Sequence, residues 1–323
     1  MNVVIVGAAG FLGSHLAQRY SERGHHVLGI DNFSSGTRQN LVWIRPDANA
    51  TFVEADIAGD GDAVERAVEA IGGANLVLHF ASPASPLLYA RLPIETLRAN
   101  SIGTERCCAL ALTYGARLVY ASTSEVYGDP LEHPQAETYW GNVNPVGPRS
   151  CYDEGKRFGE AMVTAYAGSR GLDARILRIF NTYGPRMRTD DGRVIPAFLA
   201  AALEGRPLPI AGDGQQTRSF CYVDDLIEGI IRAAESDSPD HTPINLGNPE
   251  EITIAKLAAL VAEIVGVDLQ FTRTDLPVDD PVRRRPDISR ARERLGWSPK
   301  VGLREGLRQT LAALILSRSQ STA

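Results

Sequence analysis

The chain has 323 residues, of which 44% are hydrophobic and 22% are charged, and its formal net charge is −6. This composition is typical of a globular protein with a substantial core, built as one large domain or two smaller ones. The negative charge excludes a typical nucleic-acid partner, because Arg283–Arg285 is the one basic run that stands out. The sequence has no uninterrupted apolar run of membrane-spanning length, so we expect no membrane partner. Its four cysteines lack Cys-x-x-Cys spacing, which predicts no metal site and a reducing cytoplasmic location.

A short apolar stretch followed by closely spaced glycines opens the chain. Asn2–Val6 is rich in β-branched residues and predicts a buried parallel strand. Gly7, Gly10 and Gly13 follow it in the spacing Gly-x-x-Gly-x-x-Gly and lead into a predicted helix. Glycines at such a turn let backbone N–H groups approach a pyrophosphate closely. A turn without a ligand is the alternative, but the position between a strand and a helix favours a dinucleotide site.

A second predicted strand supports the dinucleotide interpretation. His26–Ile30 ends at Asp31, about twenty residues beyond the glycines, where a carboxylate accepts the ribose hydroxyls of an adenosine. A carboxylate there repels a 2′-phosphate, which favours NAD over NADP. The alternative role for Asp31 is a loop cap, and Arg38 is the nearby cation that could favour NADP if it is not simply a solvated loop residue. Asp56 follows the third predicted strand, where we expect it to meet the adenine edge.

Strands and helices alternate through the first half of the chain. The predicted elements there are strands at Ala50–Glu54, Asn75–His79, Ala116–Ala121 and Ala174–Ile179, and helices at Asp60–Ile71, Pro93–Tyr114 and Cys151–Gly168. This order predicts an α/β fold, a doubly wound parallel sheet of the Rossmann type that binds ligands at the carboxyl ends of its strands. Shorter elements follow, with helices predicted at Val194–Leu203, Thr253–Val265, Ile288–Leu295 and Leu303–Leu316. We expect a NAD-binding domain over residues 1–180, to which 222–246 return, and a smaller C-terminal α/β substrate-binding lid over 181–221 and 247–323.

Tyr152 and Lys156 lie four positions apart near the start of a predicted helix and therefore share one of its faces. An ammonium beside a phenol stabilises the phenolate, so we expect Lys156 to lower the pKa of Tyr152 toward neutrality. Tyr152 could then take a proton from an alcohol while a hydride leaves to a nicotinamide. The same spacing also occurs by chance on solvated helices. The glycine loop upstream and Thr123 at the end of a predicted strand favour the catalytic interpretation.

Together, Gly7-x-x-Gly10-x-x-Gly13 and Tyr152-x-x-x-Lys156 resemble the extended short-chain dehydrogenases that act on nucleotide sugars. Longer stretches, which cover nearly the whole chain, resemble the UDP-glucuronate decarboxylase family; they are 79–86, 121–130, 141–157, 178–187, 216–220, 245–251 and 279–287. The resemblance implies conversion of UDP-glucuronate to UDP-xylose and carbon dioxide, with NAD retained through each turnover. It also implies a homodimer whose four-helix bundle is formed by the predicted helices Pro93–Tyr114 and Cys151–Gly168 of each subunit, although their apolar faces could instead be core.

The resemblance further implies catalytic roles for individual residues. Thr123 would bind the C4 hydroxyl of the sugar, and Tyr152 would remove its proton. Glu125 and Arg218 would serve the decarboxylation and the later protonation at C5. From the residues alone, Arg218 is equally well interpreted as a surface residue of an edge strand.

Binding roles are implied as well. Asn181 and Arg284 would hold the diphosphate or the uridine. Further cofactor contacts are implied for Phe11, Leu12, Asn32, Phe33, Ser35, Gly36, Ile57, Ala81, Asn100, Lys156 and Arg186. Further substrate contacts are implied for Ser85, Tyr89, Ser124, Arg149, Val194 and Ile210. The chain departs from the family pattern at Leu87–Arg91 and at Glu95, which leaves the exact sugar open.

Other reactions of the same superfamily remain alternatives. A 4,6-dehydratase needs an acid for the departing hydroxyl, and Ser124 is a poor proton donor at neutral pH. A 4-epimerase needs a pocket in which the keto sugar can turn over, where Glu125 would be an awkward charge. An oxidative decarboxylase that releases the 4-keto pentose would use nearly the same residues. A NAD-sensing binding protein on this fold would not need a general base such as Tyr152.

Overall fold

A computed structural model gives the structure of the chain and describes residues 1–44, 48–237, 241–276, 279, 281 and 283–321. Its strands in chain order are β1 (Asn2–Val6), β2 (His26–Asp31), β3 (Ala50–Glu54), β4 (Leu76–His79), β5 (Arg117–Thr123), β6 (Ala174–Ile179), β7 (Thr182–Tyr183), β8 (Leu208–Ala211), β9 (Thr217–Ser219), β10 (Cys221–Tyr222), β11 (Ile244–Leu246), β12 (Glu251–Thr253), β13 (Phe271–Thr274) and β14 (Arg283–Arg284).

The helices that flank and connect these strands are α1 (Phe11–Glu22), α2 (Gly61–Ala70), α3 (Pro86–Arg91), α4 (Pro93–Asn100), α5 (Ile102–Tyr114), α6 (Ser150–Arg170), α7 (Val194–Leu203), α8 (Val223–Glu235), α9 (Ile254–Val265), α10 (Ser289–Leu295) and α11 (Leu303–Ser321). Two short 3-10 turns lie at Arg38–Leu41 and Ser124–Tyr127. Among the helices of the described ranges, none is both long enough and apolar enough to cross a lipid bilayer.

The central sheet has seven strands in the order β11-β6-β5-β4-β1-β2-β3. Every neighbouring pair in it is parallel. Val3, Val4 and Ile5 of β1 are completely buried, as expected for a strand covered on both faces. The chain order reverses between β1 and β4, and this switch point is where doubly wound sheets bind ligands. The predicted Rossmann-type α/β fold is confirmed.

The prediction of one long helix at Pro93–Tyr114 is wrong in one respect, because this segment forms two helices, α4 and α5. The chain breaks at Ser101, whose backbone angles (φ −108°, ψ −81°) are not helical. Side chains before the break bond to backbone carbonyls four residues back: Thr96 Oγ1 to Leu92 O (2.7 Å), Asn100 Nδ2 to Thr96 O (2.9 Å) and Ser101 Oγ to Leu97 O (2.7 Å). Such bonds compete with the helical pattern and bend or end helices.

The C-terminal part contains smaller sheets, and helix α8 packs it against strands β5, β6 and β11 of the central sheet. In one of the smaller sheets, three strands lie in the order β12-β9-β14, and in another β13 pairs with β8. Buried side chains of both parts belong to one continuous hydrophobic cluster, which includes Ile5 and Leu16 near the glycine loop and Leu199 and Leu257 in α7 and α9. Strand β11 joins the central sheet beside β6, so the segment before it leads back to that sheet. The proposed domain boundaries stay a prediction.

Candidate active site

A cavity of about 810 Å³ lies at the carboxyl end of the central sheet. The glycine loop, the ends of β2, β4 and β5, and helix α6 line it from one side, and residues of the C-terminal part line the other. The residues predicted from sequence that line it are Gly7, Gly10, Phe11, Leu12, Gly13, Asp31, Asn32, Ser35, Asp56, Ile57, Ala81, Tyr89, Thr123, Ser124, Glu125, Arg149, Tyr152, Lys156, Asn181, Arg186, Val194, Arg218 and Arg284.

Close packing of backbone explains the glycines of this loop. Gly7 has a φ of +91°, which side chains rarely adopt, and a Cβ atom there would lie 2.7 Å from the backbone of Phe80 and Ala81. A Cβ atom on Gly13 would lie 2.0 Å from the carbonyl oxygen of Gly7. The strand end and the first turn of α1 therefore touch without side chains between them. This leaves an open cradle of backbone at the cavity wall.

Asp31 is held at the cavity by the backbone around it. Its carboxylate accepts hydrogen bonds from the N–H of Ala9 (2.9 Å) and of Phe33 (2.7 Å). The side chain of Arg38 is 74% exposed, pairs with Glu54 at 2.6 Å and lies 4.4 Å from the centre of the Phe33 ring. Arg38 therefore already has a carboxylate partner, and this weakens the argument for a 2′-phosphate next to Asp31.

Five predicted site residues are not part of the cavity wall: Phe33, Gly36, Ser85, Asn100 and Ile210. Asn100 is completely buried and supports the wall from behind, since its Nδ2 donates to the Ser82 hydroxyl at 2.9 Å. Gly36 packs on the glycine loop, where a Cβ atom would meet Ala9 at 2.8 Å. Ile210 is buried between two residues that do line the cavity.

Helix α6 brings Tyr152 and Lys156 to the cavity beside the end of β5. The hydroxyl of Tyr152 is hydrogen-bonded to Thr123. Its ring stacks on that of Tyr89, with centres 5.2 Å apart and planes 5° from parallel. The Lys156 ammonium donates to the carbonyl of Ala121 at 2.8 Å and lies 5.9 Å from the centre of the Tyr152 ring. The arrangement therefore puts a phenol, a hydroxyl and an amine around one point of the cavity.

The electrostatics of this group differ from the prediction. Burial raises the pKa of Tyr152 above its ordinary value, and the hydrogen bond from Thr123 offsets only part of that rise. Burial also lowers the pKa of Lys156 to about 7. The expectation that Lys156 lowers the pKa of Tyr152 is therefore wrong for the protein by itself, because removal of water from the phenol outweighs the nearby amine.

Glu125 lies in the 3-10 turn that follows β5, with its carboxylate between two guanidinium groups. Arg149 contacts the carboxylate through Nη2, and Arg284 Nη2 lies 3.3 Å from the same oxygen. Burial alone would raise the pKa of Glu125, but the charges of Arg284 and Arg149 outweigh it and hold that pKa well below its usual range. Glu125 is therefore an ionised carboxylate at the cavity wall.

From the C-terminal part, strand β14 brings Arg284 to Glu125, and strand β9 brings one further arginine. Arg218 and Arg284 are register partners on these parallel strands. Arg284 is 1% exposed and also donates to the carbonyls of Ser124 and Gly128. The resemblance implied a role for Arg284 at the diphosphate or uridine, whereas its contacts in the structure are with Glu125 and the turn around it. Arg218 lines the cavity, and its charge also lowers the pKa of Glu125.

The sequence reasoning missed two residues of this region. Arg193 lines the cavity at the start of α7, and its positive charge acts to lower the pKa of Tyr152. Arg193 donates to the carboxylate of Asp191, which is 1% exposed, from its backbone N–H (3.1 Å), from Nε (2.8 Å) and from Nη2 (2.5 Å). The pair lies two positions apart in a loop, and no periodicity marks it. Sequence spacing alone therefore gives no signal for either residue.

Comparison with known proteins defines the class. Residues 3–247 match the model of the NAD dependent epimerase/dehydratase family, and the chain belongs to that family. It is 47% identical over 307 residues to UDP-glucuronic acid decarboxylase 1 of Arabidopsis thaliana, covering 95% of this chain and 68% of that protein. It is 46% identical over 310 residues to UDP-glucuronic acid decarboxylase 1 of Xenopus tropicalis, covering 96% and 71%. The resemblance to the UDP-glucuronate decarboxylase family is confirmed.

Solved structures agree with the fold. A UDP-glucose 4-epimerase from Thermotoga maritima, solved with UDP-glucose, matches with a TM-score of 0.90 at 31% identity and covers 98% of this chain and 100% of its own. A UDP-glucuronic acid 4-epimerase from Bacillus cereus, solved with UDP-glucuronic acid and NAD, matches with a TM-score of 0.87 at 28% identity and the same coverage. The predicted cofactor of the family, NAD, is confirmed.

Proposed function

We propose that this chain is an enzyme that converts UDP-glucuronate to UDP-xylose and carbon dioxide. One observation carries the proposal: the ionised carboxylate of Glu125, held by Arg149 and Arg284, lines the same cavity as the hydrogen-bonded pair of Tyr152 and Thr123. The two curated relatives described above, at 46–47% identity, are named decarboxylases of UDP-glucuronic acid, which supports the same reaction here.

The glycine loop fits a dinucleotide. A Cβ atom at Gly7 or Gly13 would clash with the backbone that forms the cradle, and Asp31 is fixed beside it by backbone N–H groups, ready to accept ribose hydroxyls. Bound NAD supplies a positively charged ring that accepts a hydride from the sugar and later returns it. We propose that the glycine loop holds its pyrophosphate and that Asp31 holds its adenosine ribose.

Tyr152 has the role of base at C4. Thr123 bonds the phenol and can orient the C4 hydroxyl of the sugar, and Tyr152 takes the proton from that hydroxyl as the hydride leaves C4. A positive charge next to the Tyr152 phenol lowers its pKa and so opposes the rise that burial causes. The phenol returns the same proton to the C4 oxygen when the ketone is reduced again, and Lys156, within 5.9 Å of the ring centre, stabilises the phenolate that this leaves.

Loss of carbon dioxide follows from the ketone. A ketone at C4 is β to the C6 carboxylate, so the C5–C6 bond breaks and its electron pair moves into the ketone as an enolate. A proton then returns to C5, and C4 is reduced. Guanidinium groups near Glu125 can bind the uronate carboxylate, and they must not hold the ground state more tightly than the transition state.

A product assay tests the proposal. We expect purified protein with NAD and UDP-glucuronate to give UDP-xylose by mass and NMR, with no accumulation of NADH. A 4-keto pentose with one NADH per product would assign the oxidative decarboxylase instead, and a C4 epimer of the uronate would assign a 4-epimerase, as named for the Bacillus cereus protein. Unreacted substrate would refute all of these assignments.

We also propose a homodimer formed through α4, α5 and α6, the helices named for the predicted four-helix bundle. These helices carry exposed apolar side chains: Ile94 is 61% exposed, Leu97 is 40% and Phe158 is 49%. Burial of such a face in a second copy is the usual reason for apolar exposure of this kind. Light scattering should give twice the chain mass and, for Phe158→Asp, a monomer. A wild-type monomer would contradict the proposal. The cytoplasmic location stays a prediction.

A further inference from the structure

Asp153 is a buried carboxyl group that the proposed reaction does not use. It follows Tyr152 in α6 and is 5% exposed. It is not part of the cavity wall but lies behind Arg149, whose Nε is 3.8 Å from Asp153 Oδ2. Its second oxygen, Oδ1, is buried and has no hydrogen-bond partner among the described residues. A different nitrogen of the same Arg149 guanidinium, Nη2, contacts Glu125.

Two carboxyl groups therefore compete for the guanidinium of Arg149, and Glu125 makes the closer contact. An ionised carboxylate with one oxygen bare and buried carries a large desolvation cost, which the neutral form avoids. Burial and then the charge of Glu125 raise the pKa of Asp153 well above its ordinary range. In the described part of the chain, the titratable and charged groups that face this carboxyl are Tyr89 from α3, Glu125 from the 3-10 turn, Arg149, Cys151, Tyr152 and Glu154 from α6 and the residue before it, and Arg284 from β14.

We propose that Asp153 is a positioning residue that sets the charge of the cluster that receives the sugar carboxylate. The cluster of Arg149, Arg284 and Glu125 carries one unit of positive charge more when Asp153 is neutral than when Asp153 is ionised. A uronate prefers the more positive cluster, whereas an uncharged hexose does not distinguish the two forms. Asp153 thereby selects an acidic over a neutral UDP-sugar from behind the cavity wall. This inference rests on the proposed function.

The effect has a defined sign with pH. Asp153 is neutral below its raised pKa and ionised above it, so the preference for the uronate is present at low pH and lost as pH rises. We expect the affinity ratio of UDP-glucuronate to UDP-glucose, measured by calorimetry on the enzyme with NAD, to fall about tenfold between about pH 5 and about pH 9. Asp153→Asn cannot ionise, and we expect it to keep the low-pH ratio across the range.

Glu154→Gln is the matched control. It removes the same charge from the next position of α6, where the side chain is 37% exposed and pairs with Arg157. We expect Glu154→Gln to keep the pH-dependent ratio, with a midpoint at slightly lower pH because the charge of Glu154 contributes a little to the raised pKa of Asp153. Should Asp153→Asn not fold, the infrared band of a protonated carboxyl group in the wild-type protein at neutral pH gives the same answer, and its absence would overturn the inference.

The outcomes separate the inference from the function on which it rests. A pH-dependent ratio that is the same in Asp153→Asn and wild type would overturn the role of Asp153 and leave the decarboxylase proposal standing. A wild-type ratio that favours the uronate equally at every pH would do the same. A ratio that favours neither sugar at any pH would instead overturn the proposed substrate.

Discussion

The two ends of the cavity are built in different ways. At the glycine loop the wall is backbone from neighbouring stretches of chain, with Gly7 and Gly13 in contact and Asp31 fixed by nearby N–H groups. At Glu125 the wall is charged side chains from distant stretches, and Arg284 reaches Glu125 across 159 positions of sequence. The first end depends on the shape of the backbone, and the second depends on a balance of charges. Substitutions should therefore affect the two ends separately.

The largest expected effect lies between the two ends. Tyr152→Phe removes the group that takes the C4 proton, so we expect turnover to fall by about 10³-fold. NAD affinity should stay within about twofold of the wild-type value, which is about the error of calorimetry, since the ring and its stacking on Tyr89 remain. Tyr166→Phe, on the same helix, is the control and should keep full activity. Near-normal turnover of Tyr152→Phe would remove Tyr152 from its proposed role.

Glu125→Gln tests the charged end. Removal of one negative charge leaves Arg149 and Arg284 without their ionised partner, so we expect turnover to fall by about 100-fold and unfolding free energy by about 3 kcal/mol. Steady-state kinetics and urea unfolding measure the two effects. NAD affinity should not change, because the glycine loop is untouched. A loss of NAD affinity equal to the loss of turnover would mean that the two ends are not independent.

Gly13→Ala tests the backbone end. The new Cβ would lie 2.0 Å from the Gly7 carbonyl oxygen, so the loop must move, and we expect NAD affinity to fall by about tenfold. The affinity for UDP measured without NAD should stay at the wild-type value. Gly168→Ala is the control, since a Cβ there meets nothing within 4 Å. Unchanged NAD affinity in Gly13→Ala would contradict the proposed pyrophosphate cradle.

The smallest effect is expected at Arg38. Its guanidinium is exposed and already paired with Glu54, so Arg38→Ala should change the ratio of NAD to NADP affinity by less than about threefold. Fluorescence titration with both dinucleotides measures the ratio. A gain of NAD preference well above that limit would show that Arg38 contributes to NADP binding, as the competing interpretation of the sequence holds.

The glycine loop and Asp31 could be predicted from sequence because they are close along the chain. The strand before Gly7 and the position of Asp31 follow from local pattern and spacing. The same kind of reasoning missed α8, although its apolar residues recur at helical spacing from Val223 to Ile231, and it joined α4 and α5 into one helix. Helix α4 ends where side chains such as that of Ser101 form hydrogen bonds to the backbone. The spacing of apolar residues does not indicate such bonds.

For the charged end, the residues that belong to it could be predicted, but their arrangement could not. Glu125, Arg149 and Arg284 were expected at the site through family resemblance, but no spacing brings them together, because strands β9 and β14 of a separate small sheet do so. The sign of the pKa shift at Tyr152 also escaped prediction. Helical spacing gives the proximity of Lys156, whereas burial, which dominates, depends on the whole fold.

One isotope experiment tests most directly whether both ends act on the same sugar. With UDP-glucuronate as substrate in heavy water, the hydride returned from the cofactor restores the original hydrogen, not deuterium, at C4. The hydrogen that C5 gains after loss of carbon dioxide comes from the solvent and is therefore deuterium. The account predicts UDP-xylose with one deuterium at C5 and none at C4, seen by NMR. Deuterium at C4, or a product without deuterium at C5, would contradict it.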